Sequence, residues 1–537
     1  MRAISSRVWA GALSLALVLS GRAADGAQTT PAGVAAAASP NAMTELRLTL
    51  QDSVLTALKN NLGIEVNRFI PLISETAIRQ ALGEFDSFLY SNTLYTDATV
   101  PANSALQGTA VAASTAKVWD TTTGYRQKLF SGLNYDVSLQ TTRTEVNNRF
   151  LLFNPRWESN LNLSITQPLL KGWGFSVNRI NIELARGNHR ISLSEFEQSV
   201  IDTIAQVENN YWDLVFSISD LEVNTESLQL AQEQLERNRI QVEVGTMAPI
   251  EITQARAEVA SREEGIILAQ TAIENNQDTL KTSINIRDPV QRLATIVPLD
   301  QPSFVSLDQT LEQVVQAALE NRPELRQERE RMGNAQRSRD YYRNQMKPQL
   351  DLVASFGSTG LDGESLVFDC DPFSDPDCQP SGSVRGGIGG SLNDAFGFDF
   401  RTWTVGANFS LPIKNDTYGG FYQQYRLEVE RSEAQLRDLE NQIALEVRTA
   451  YRQVEAGIKL IEATRVAREL QNEKLVAEQK KFSVGTSTNF QVLQFQRDLT
   501  QAKSQELNAL IQYNKLRIAL EQAKGTLLKN RGISLGS

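Results

Sequence analysis

The sequence predicts an α+β membrane protein in which a sheet of β-strands continues into very long α-helices. Three observations predict this fold class. Apolar residues alternate with polar ones in four short segments, apolar residues recur every seven positions over long proline-free tracts, and both patterns occur twice along the chain. We therefore expect two similar halves, each with strands and two long helices.

The helical tracts are defined by where proline is absent. No proline lies between Pro168 and Pro249, between Pro249 and Pro289, or after Pro412, so long helices are permitted there. A period of seven within these tracts is typical of helices packed along a narrow apolar seam. The first-half seam comprises Leu214, Leu221, Leu228, Leu235, Val242, Ile252, Val259, Ile266, Ile273 and Leu280. Positions 240 residues later (482 − 242) continue the pattern, and eight of the ten are apolar or aromatic.

A Val-Gly-Thr break interrupts each helical tract and predicts a reversal of the chain. Gly245 and Gly485 would end the outgoing helices, since glycine is favoured just after a helix terminus. Pro249 in the first half and the segment 487–489 in the second would begin the returning helices. Outgoing helices from near Gly174 and Gly420 to these breaks would be on the order of 100 Å long.

The four alternating segments predict strands with one apolar and one polar face. Two lie in the first half, "LNYDVSLQTTRT" and "WESNLNLSITQPLL", and two in the second, "QLDLVASFG" and "TWTVGANFSLPI". Each is long enough for a tilted strand to cross a bilayer. Pro168 and Pro412 would bend the chain from strand to helix. The segment 85–130 also has strand character, but its place in the sheet is left open.

Four strands cannot close a barrel, because closure needs about eight. Lipid tolerates no open sheet edge. The sequence therefore predicts that several copies assemble, and three copies would supply a twelve-stranded barrel.

The ends of the chain and its short helices complete the organisation. Residues 1–27 resemble a secretory signal peptide and 28–43 a flexible leader. The first repeat is assigned to 44–289, a linker to 290–304, the second repeat to 305–528 and a tail to 529–537. Each repeat begins with an amphipathic segment, Leu48–Asn61 or Val305–Arg322.

Composition argues against nucleic-acid binding and catalysis. The net charge of −10 disfavours a phosphate-binding surface. His189, the single histidine, lies in a long helix, where an interhelical or solvent contact is expected. We identify no metal site and no cofactor motif. Cys370 and Cys378, the two cysteines, could close a small disulfide loop in an oxidising compartment; a solvated acidic loop is the alternative.

The complete plan resembles the TolC-like outer-membrane efflux protein family. The resemblance covers about residues 44–528 and is most specific in "FSVGTSTNFQVLQFQRDLTQAKSQELNALIQYNKLRIALEQAKGTL". It implies a homotrimer with a twelve-stranded barrel in the outer membrane of a Gram-negative bacterium and a helical tunnel across the periplasm. It also implies docking to a periplasmic adaptor protein and an inner-membrane transporter, in a tripartite efflux pump or a type I secretion system. Such a duct would export small molecules or polypeptides without consuming energy itself.

The resemblance also assigns roles to residues at the helix reversals. Members of this family commonly close the periplasmic end with acidic side chains just after the second break, where this chain has Gln491 and Gln494. Our hypothesis is that five polar residues line this entrance: Glu251, Gln254, Gln491, Gln494 and Asp498. They could instead be solvated residues of the first helical turns. The reversals themselves would contact the adaptor: Gly245, Thr246, Gly485 and Thr486.

Two other classes of protein share part of the pattern. A trimeric coiled-coil stalk or adhesin would explain rods and strands, but it needs no pair of matching reversals. A simple porin would need many more strands and no long helices.

Overall fold

A computed structural model describes residues 45–101, 113–148, 151–370 and 378–534 of the chain. The predicted signal peptide and leader lie outside these residues. The helices are α1 (Leu50–Asn60), α2 (Leu62–Leu82), α3 (Phe175–Asn178), α4 (Ile180–Glu243), α5 (Ile250–Ile284), α6 (Pro289–Leu293), α7 (Leu311–Asn321), α8 (Pro323–Gln345), α9 (Ile388–Gly397), α10 (Asp416–Ser483), α11 (Asn489–Ala523) and α12 (Leu527–Asn530). The strands are β1 (Glu45–Leu48), β2 (Phe88–Pro101), β3 (Ala113–Lys128), β4 (Asn134–Val146), β5 (Arg156–Pro168), β6 (Thr295–Pro298), β7 (Gln349–Gly363), β8 (Ser365–Phe368), β9 (Pro380–Val384) and β10 (Arg401–Ser410).

The two long helices confirm the reading of the proline-free tracts. Helix α4 has 64 residues and α10 has 68, and they end at Glu243 and Ser483. At 1.5 Å per residue each is roughly 100 Å long. The returning helices α5 and α11 have 35 residues each. The length of these rods is therefore set by where proline and the Val-Gly-Thr breaks occur.

The shorter helices fill the space beside the two rods. Next to the sheet, α2 packs on α4, α8 lies between α4 and α10, and the order is α2–α4–α8–α10. Beyond the middle of the rods, α4 packs on α5 and α11, and α10 packs on α11, so the order becomes α5–α4–α11–α10. At each of these two levels along the rods, the helices form a layer four helices wide.

The apolar core lies at the middle of the rods, around α1 and α7. One cluster joins α1 to α4, α5 and α11, and a second joins α7 to α8, α10 and α11. Both short helices begin with a capping box, formed by Thr49 with Asp52 and by Thr310 with Gln313. The predicted seam is buried at Leu214 but only half-buried from Leu221 to Val242.

The segment between the predicted repeats is structured. It contains α6 and β6, and β6 pairs in parallel with β1 near the start of the described chain. His189 makes the expected interhelical contact, with its Nδ1 atom 3.1 Å from the carbonyl oxygen of Pro71 in α2. Of the helices in the described residues, none combines the length and hydropathy needed to cross a membrane.

The main sheet has six strands in the described residues, in the order β10-β7-β5-β4-β3-β2, with antiparallel neighbours. All four predicted strands are present, as β4, β5, β7 and β10. The expectation of four strands per chain is wrong, because segment 85–130 adds β2 and β3. The strand character predicted for this segment is confirmed, and both strands belong to the same continuous sheet, which the sequence had left open.

The two additional strands are hard to read from sequence because one face carries hydroxyl groups instead of aliphatic groups. Ser91 pairs with Thr123 and Thr93 with Thr121, at oxygen–oxygen distances of 3.0 and 3.2 Å. Such residues are neither clearly apolar nor clearly polar, so the period of two is weak. The pairing was therefore decided by tertiary contacts.

The turn between β3 and β4 requires glycine at Gly132. Its φ is +90°, and a Cβ atom there would lie 2.7 Å from Asn178 and 2.9 Å from the carbonyl oxygen of Gly172. Only glycine adopts this conformation without strain while allowing so close an approach. The turn packs the base of the β3–β4 hairpin against the start of the helical region.

The segment between the predicted strands of the second half contains further strands and a helix in its described residues. Strand β7 extends to Gly363, β8 and β9 pair, and α9 packs on β5 and β7. The sulfur atoms of Cys370 and Cys378 are bonded, and the two Cα atoms are 5.7 Å apart. Pro168 is the last residue of β5, and Pro412 lies between β10 and α10.

Candidate functional site

The end of the rods farthest from the sheet, called the tip below, is built from the two Val-Gly-Thr reversals. Gly245 and Gly485 both have φ of +78°. The amides of Thr246 and Thr486 donate to carbonyl oxygens five residues earlier, at 2.9 and 3.0 Å, and their hydroxyls donate to the same oxygens. This geometry is a glycine-terminated helix end, in which the freed carbonyls regain partners. The four residues are exposed.

The second reversal continues into a capping box at the start of α11. The hydroxyl of Thr488 accepts from the amide of Gln491, and the Gln491 side chain accepts from the amide of Thr488 at 3.4 Å. The hydroxyl oxygen of Ser487 also lies 2.8 Å from the side-chain oxygen of Gln491. Gln491 is therefore occupied as a cap in this structure, although it remains exposed.

A buried polar cluster holds the two reversals together. The side-chain amide of Asn489 donates to the Glu251 carboxylate at 3.0 Å, which joins α11 to α5. Gln234 donates to the side-chain oxygens of Asn489 and Asn238 at 2.9 and 2.8 Å. Gln234, Asn238 and Asn489 are at most 2% exposed. Because buried polar groups are costly when unpaired, these contacts specify how the helices meet.

A charged cluster lies one to two helical turns farther from the tip. The carboxylate of Glu258 on α5 contacts Arg262 at 2.6 Å and Arg497 of α11 at 2.9 Å. Arg497 also donates to Gln494 at 2.7 Å, and Gln494 donates to Asp498 at 2.9 Å. Glu258 is 7% exposed, so it is an almost buried anion held by two cations. This cluster is a second link between the two returning helices.

Glu478 ties the end of α10 to the second reversal. Its carboxylate accepts from the hydroxyl of Ser487 and from the ammonium of Lys481, the latter at 3.1 Å. These two hydrogen bonds, the one from Ser487 first, lower the pKa of the Glu478 carboxyl. The reversal is thus stabilised by the ionised form of this side chain.

The structure brings four of the five predicted entrance residues to the tip contacts. Glu251, Gln491, Gln494 and Asp498 all make side-chain hydrogen bonds there, and Gln254 is exposed on the first turns of α5. Sequence reasoning missed Gln234, Asn238, Asn489, Glu258 and Arg497. A signal was present in α4, since the closely packed positions Ser227, Ala231, Gln234 and Asn238 follow helical spacing.

Among the residues that the structure describes, no group of three or more His, Cys, Asp or Glu side chains is placed to hold a metal ion. The tip instead offers amides, carboxylates and guanidinium groups in mutual hydrogen bonds. Such contacts can hold two helix pairs together and be exchanged for others without chemical change.

In the described chain, a sheet with two unpaired edges is continued by rods of about 100 Å that reverse at a polar tip, an architecture that suits an elongated membrane channel. The chain belongs to the outer membrane efflux protein family, whose model matches residues 122–285 and 314–526. It is thus an outer-membrane efflux channel of the TolC-like type, located in the outer membrane with a periplasmic extension.

Solved structures of bacterial channels have the same fold. The CmeC outer membrane channel of Campylobacter jejuni is 15% identical, with 89% of this chain and 86% of that chain covered and a TM-score of 0.60. VceC of Vibrio cholerae is 15% identical, with 89% and 96% covered and a TM-score of 0.60. The open state of Neisseria gonorrhoeae MtrE is 16% identical, with 89% of each chain covered and a TM-score of 0.58. No curated protein matches the chain in a sequence comparison.

Proposed function

We propose that three copies of the chain form the exit duct of a tripartite efflux pump or a type I secretion system. A periplasmic adaptor protein would engage the tip, and an inner-membrane transporter would supply energy and direction. The duct would carry small molecules or polypeptides across the periplasm and outer membrane. Its own contribution would be a polar passage and a closable entrance.

The observation that carries this proposal is that a single chain leaves both edges of its sheet and both ends of its helical layer uncovered. Within the main sheet, β2 and β10 are edge strands, and all ten residues of β10 are exposed. Beside the sheet, α2 presents an apolar stripe at helical spacing that no element of the described residues covers: Val66, Phe69, Ile70 and Ile73, which are 65%, 56%, 45% and 67% exposed. An open sheet edge in a membrane and a stripe of four exposed apolar side chains both need a partner surface to cover them.

The opposite side of the chain offers a matching surface. In the part of α10 that packs on α8, at the level of α2, Leu427 is 56% exposed. Nearer the tip the two ends of the layer are α10 and α5, which expose Leu460 (52%) and Ile267 (62%). A ring of identical chains would cover the two ends of the layer at each level with one type of contact. Closure by a ring of copies therefore satisfies the helices and the sheet together.

The polar tip supports the role of a closable entrance. Glu251, Gln254, Gln491, Gln494 and Asp498 lie on the first turns of α5 and α11, and the links Glu251–Asn489 and Glu258–Arg497 hold these helices together. An adaptor that binds the exposed reversals Gly245–Thr246 and Gly485–Thr486 more tightly in a separated arrangement would shift the population toward the open entrance.

The proposal is tested by cross-linking the full chain in intact cells and purifying it from the outer membrane in detergent. We expect a covalent trimer together with a periplasmic protein and an inner-membrane transporter. Cells that lack the chain should become hypersensitive to dyes or drugs, or should stop secreting a polypeptide. Recovery of a monomer, or normal export in cells that lack the chain, would contradict the proposal.

A further inference from the structure

The β2–β3 hairpin has the side-chain pattern of a channel wall. Its inward positions continue the polar face of β4: Asp120 accepts from Gln140 at 2.6 Å and from Thr142 at 2.8 Å, and Tyr90 donates to Asp136 at 2.9 Å. These groups are paired across three adjacent strands. These contacts would not be expected if the β2–β3 hairpin lay outside the channel wall, because its polar side chains would then not join the polar face of β4.

The opposite face of the hairpin suits lipid. Tyr95 and Trp119 pack together, with ring centroids 4.8 Å apart, as in the aromatic girdles of membrane barrels. Between Leu89 and this pair, the hydroxyls of β2 and β3 bond to each other across the strands, which reduces the number of unpaired polar groups that face hydrocarbon. The face is therefore compatible with the bilayer despite its few aliphatic residues.

The base of the β2–β3 hairpin contacts the segment that joins α2 to β2. Gln127 donates to the carbonyl oxygen of Phe85 at 3.0 Å, Lys128 pairs with Glu84, and the rings of Phe85 and Phe130 are 4.5 Å apart. These contacts hold the β3–β4 turn against the α2–β2 junction. The hairpin is thus held in line with the other four strands.

The two free edges have the directions that pairing between copies requires. Successive strands of the sheet alternate in direction from β2 to β10, so β2 runs away from the helices and β10 runs back toward them. The β10 edge of one copy is therefore antiparallel to the β2 edge of the next, and the number of strands per copy is even. Both conditions are met by closed bacterial barrels.

We propose that β10 of each subunit pairs with β2 of the next, so that three chains close an eighteen-stranded barrel (3 × 6) and not a twelve-stranded one. This inference rests on the proposed trimer. With strands about 4.8 Å apart and tilted by about 40°, the backbone diameter is roughly 36 Å for eighteen strands and roughly 24 Å for twelve.

Disulfide cross-linking in outer membranes tests which edges meet. Val405→Cys in β10 is combined with a cysteine at an outward position of β2, in separate variants at Ser91, Thr93 and Tyr95. The alternative arrangement, with the hairpin outside the wall, is probed by cysteines at Leu139 and Thr141 of β4. Each single-cysteine variant serves as the control, since Cys370 and Cys378 are already bonded within the chain.

We expect oxidation to give covalent dimers and trimers for at least one β10–β2 pair and monomers for every β10–β4 pair. Cross-linking between β10 and β4 would overturn the inference. Electron cryomicroscopy of the unmodified trimer supplies a second measurement: eighteen strands around the ring support it, and twelve overturn it. A ring of twelve would leave the proposed exit duct intact, whereas the absence of any trimer would overturn both.

Discussion

At the scale of single residues, the tip depends on two glycines and a few polar side chains. Side chains at equivalent positions of the two halves have different roles. Gly245 and Gly485 have the same φ, but Glu251 bonds across to Asn489 while Gln491, at the equivalent place in the second half, caps its own helix. The two halves thus share a backbone turn and not a set of contacts.

Gly485→Ala should weaken the second reversal through backbone strain alone. A Cβ atom there meets nothing within 4 Å, so the cost is that of a left-handed conformation, about 1 kcal/mol. Amide hydrogen exchange of residues 481–489 should become several-fold faster. Gly420→Ala is the matched control, since a Cβ atom at Gly420, in α10, also meets nothing within 4 Å and its φ is not positive; equal effects of both changes would refute the strain argument.

Glu251→Gln should reduce block of the channel by divalent cations, because the substitution removes a carboxylate from the proposed entrance while keeping its size. Single-channel conductance with and without added Mg²⁺ measures the effect. Glu264→Gln removes an exposed carboxylate farther along α5 and should leave the block unchanged. Unchanged block in Glu251→Gln would remove Glu251 from the pore lining.

At the scale of secondary-structure elements, the helices at the tip are joined by polar links, whereas in the middle of the rods they are joined by an apolar core. The buried clusters around α1 and α7 are large, and within the described residues a smaller cluster of Leu475, Val492 and Leu499 lies nearer the tip. Polar links are more easily exchanged than apolar packing, so the tip is the part of the rods suited to opening.

Arg497→Gln should loosen α11 from α5 and raise the resting conductance of the channel. The change removes one of two cations from the almost buried Glu258, at a cost of about 1–3 kcal/mol. The control is Arg465→Gln, which removes an equally close contact with Glu462 inside α10, on an exposed surface. If both variants conduct like the parent, the Arg497–Glu258 contact has no part in closing the entrance.

Acid should loosen the second reversal through Glu478. The pKa of this carboxyl is lowered in the folded protein, so its stabilising effect is complete above the ordinary value of 4.5 and is lost as the pH falls through the lower, folded value. Hydrogen exchange of the reversal, corrected for intrinsic rates, should therefore accelerate below about pH 4.5 in the parent. In Glu478→Gln this acid-dependent step should be absent; its persistence would assign the effect to another group.

At the scale of the whole molecule, assembly is needed because one chain leaves both its sheet edges and its outer helices uncovered. Replacing Phe69 and Ile73 of α2 by Ser should weaken the trimer, since both side chains lie more than half exposed on one apolar stripe. Cross-linking followed by electrophoresis should show mainly monomer. Leu293→Ser, at a side chain 85% exposed outside the stripe, is the control; a stable trimer in the double variant would place the contact elsewhere.

The sequence by itself determined the rods, their reversals and four of the strands. These features follow from local rules: proline breaks helices, glycine permits the left-handed turn, and apolar spacing of seven or two distinguishes helix from strand. The Val-Gly-Thr breaks place the ends of α4 and α10 close to Glu243 and Ser483 for this reason.

Only the tertiary structure decided the number of strands and the partners of the polar side chains. Strands β2 and β3 owe their place to hydroxyl pairs and to Tyr90 lying over Gly124, contacts between residues more than 25 positions apart. The links Glu251–Asn489 and Glu258–Arg497 join residues about 240 positions apart. Such pairs have no local signature, because an Asn or Arg on a helix surface looks the same in sequence whether it meets water or a buried carboxylate.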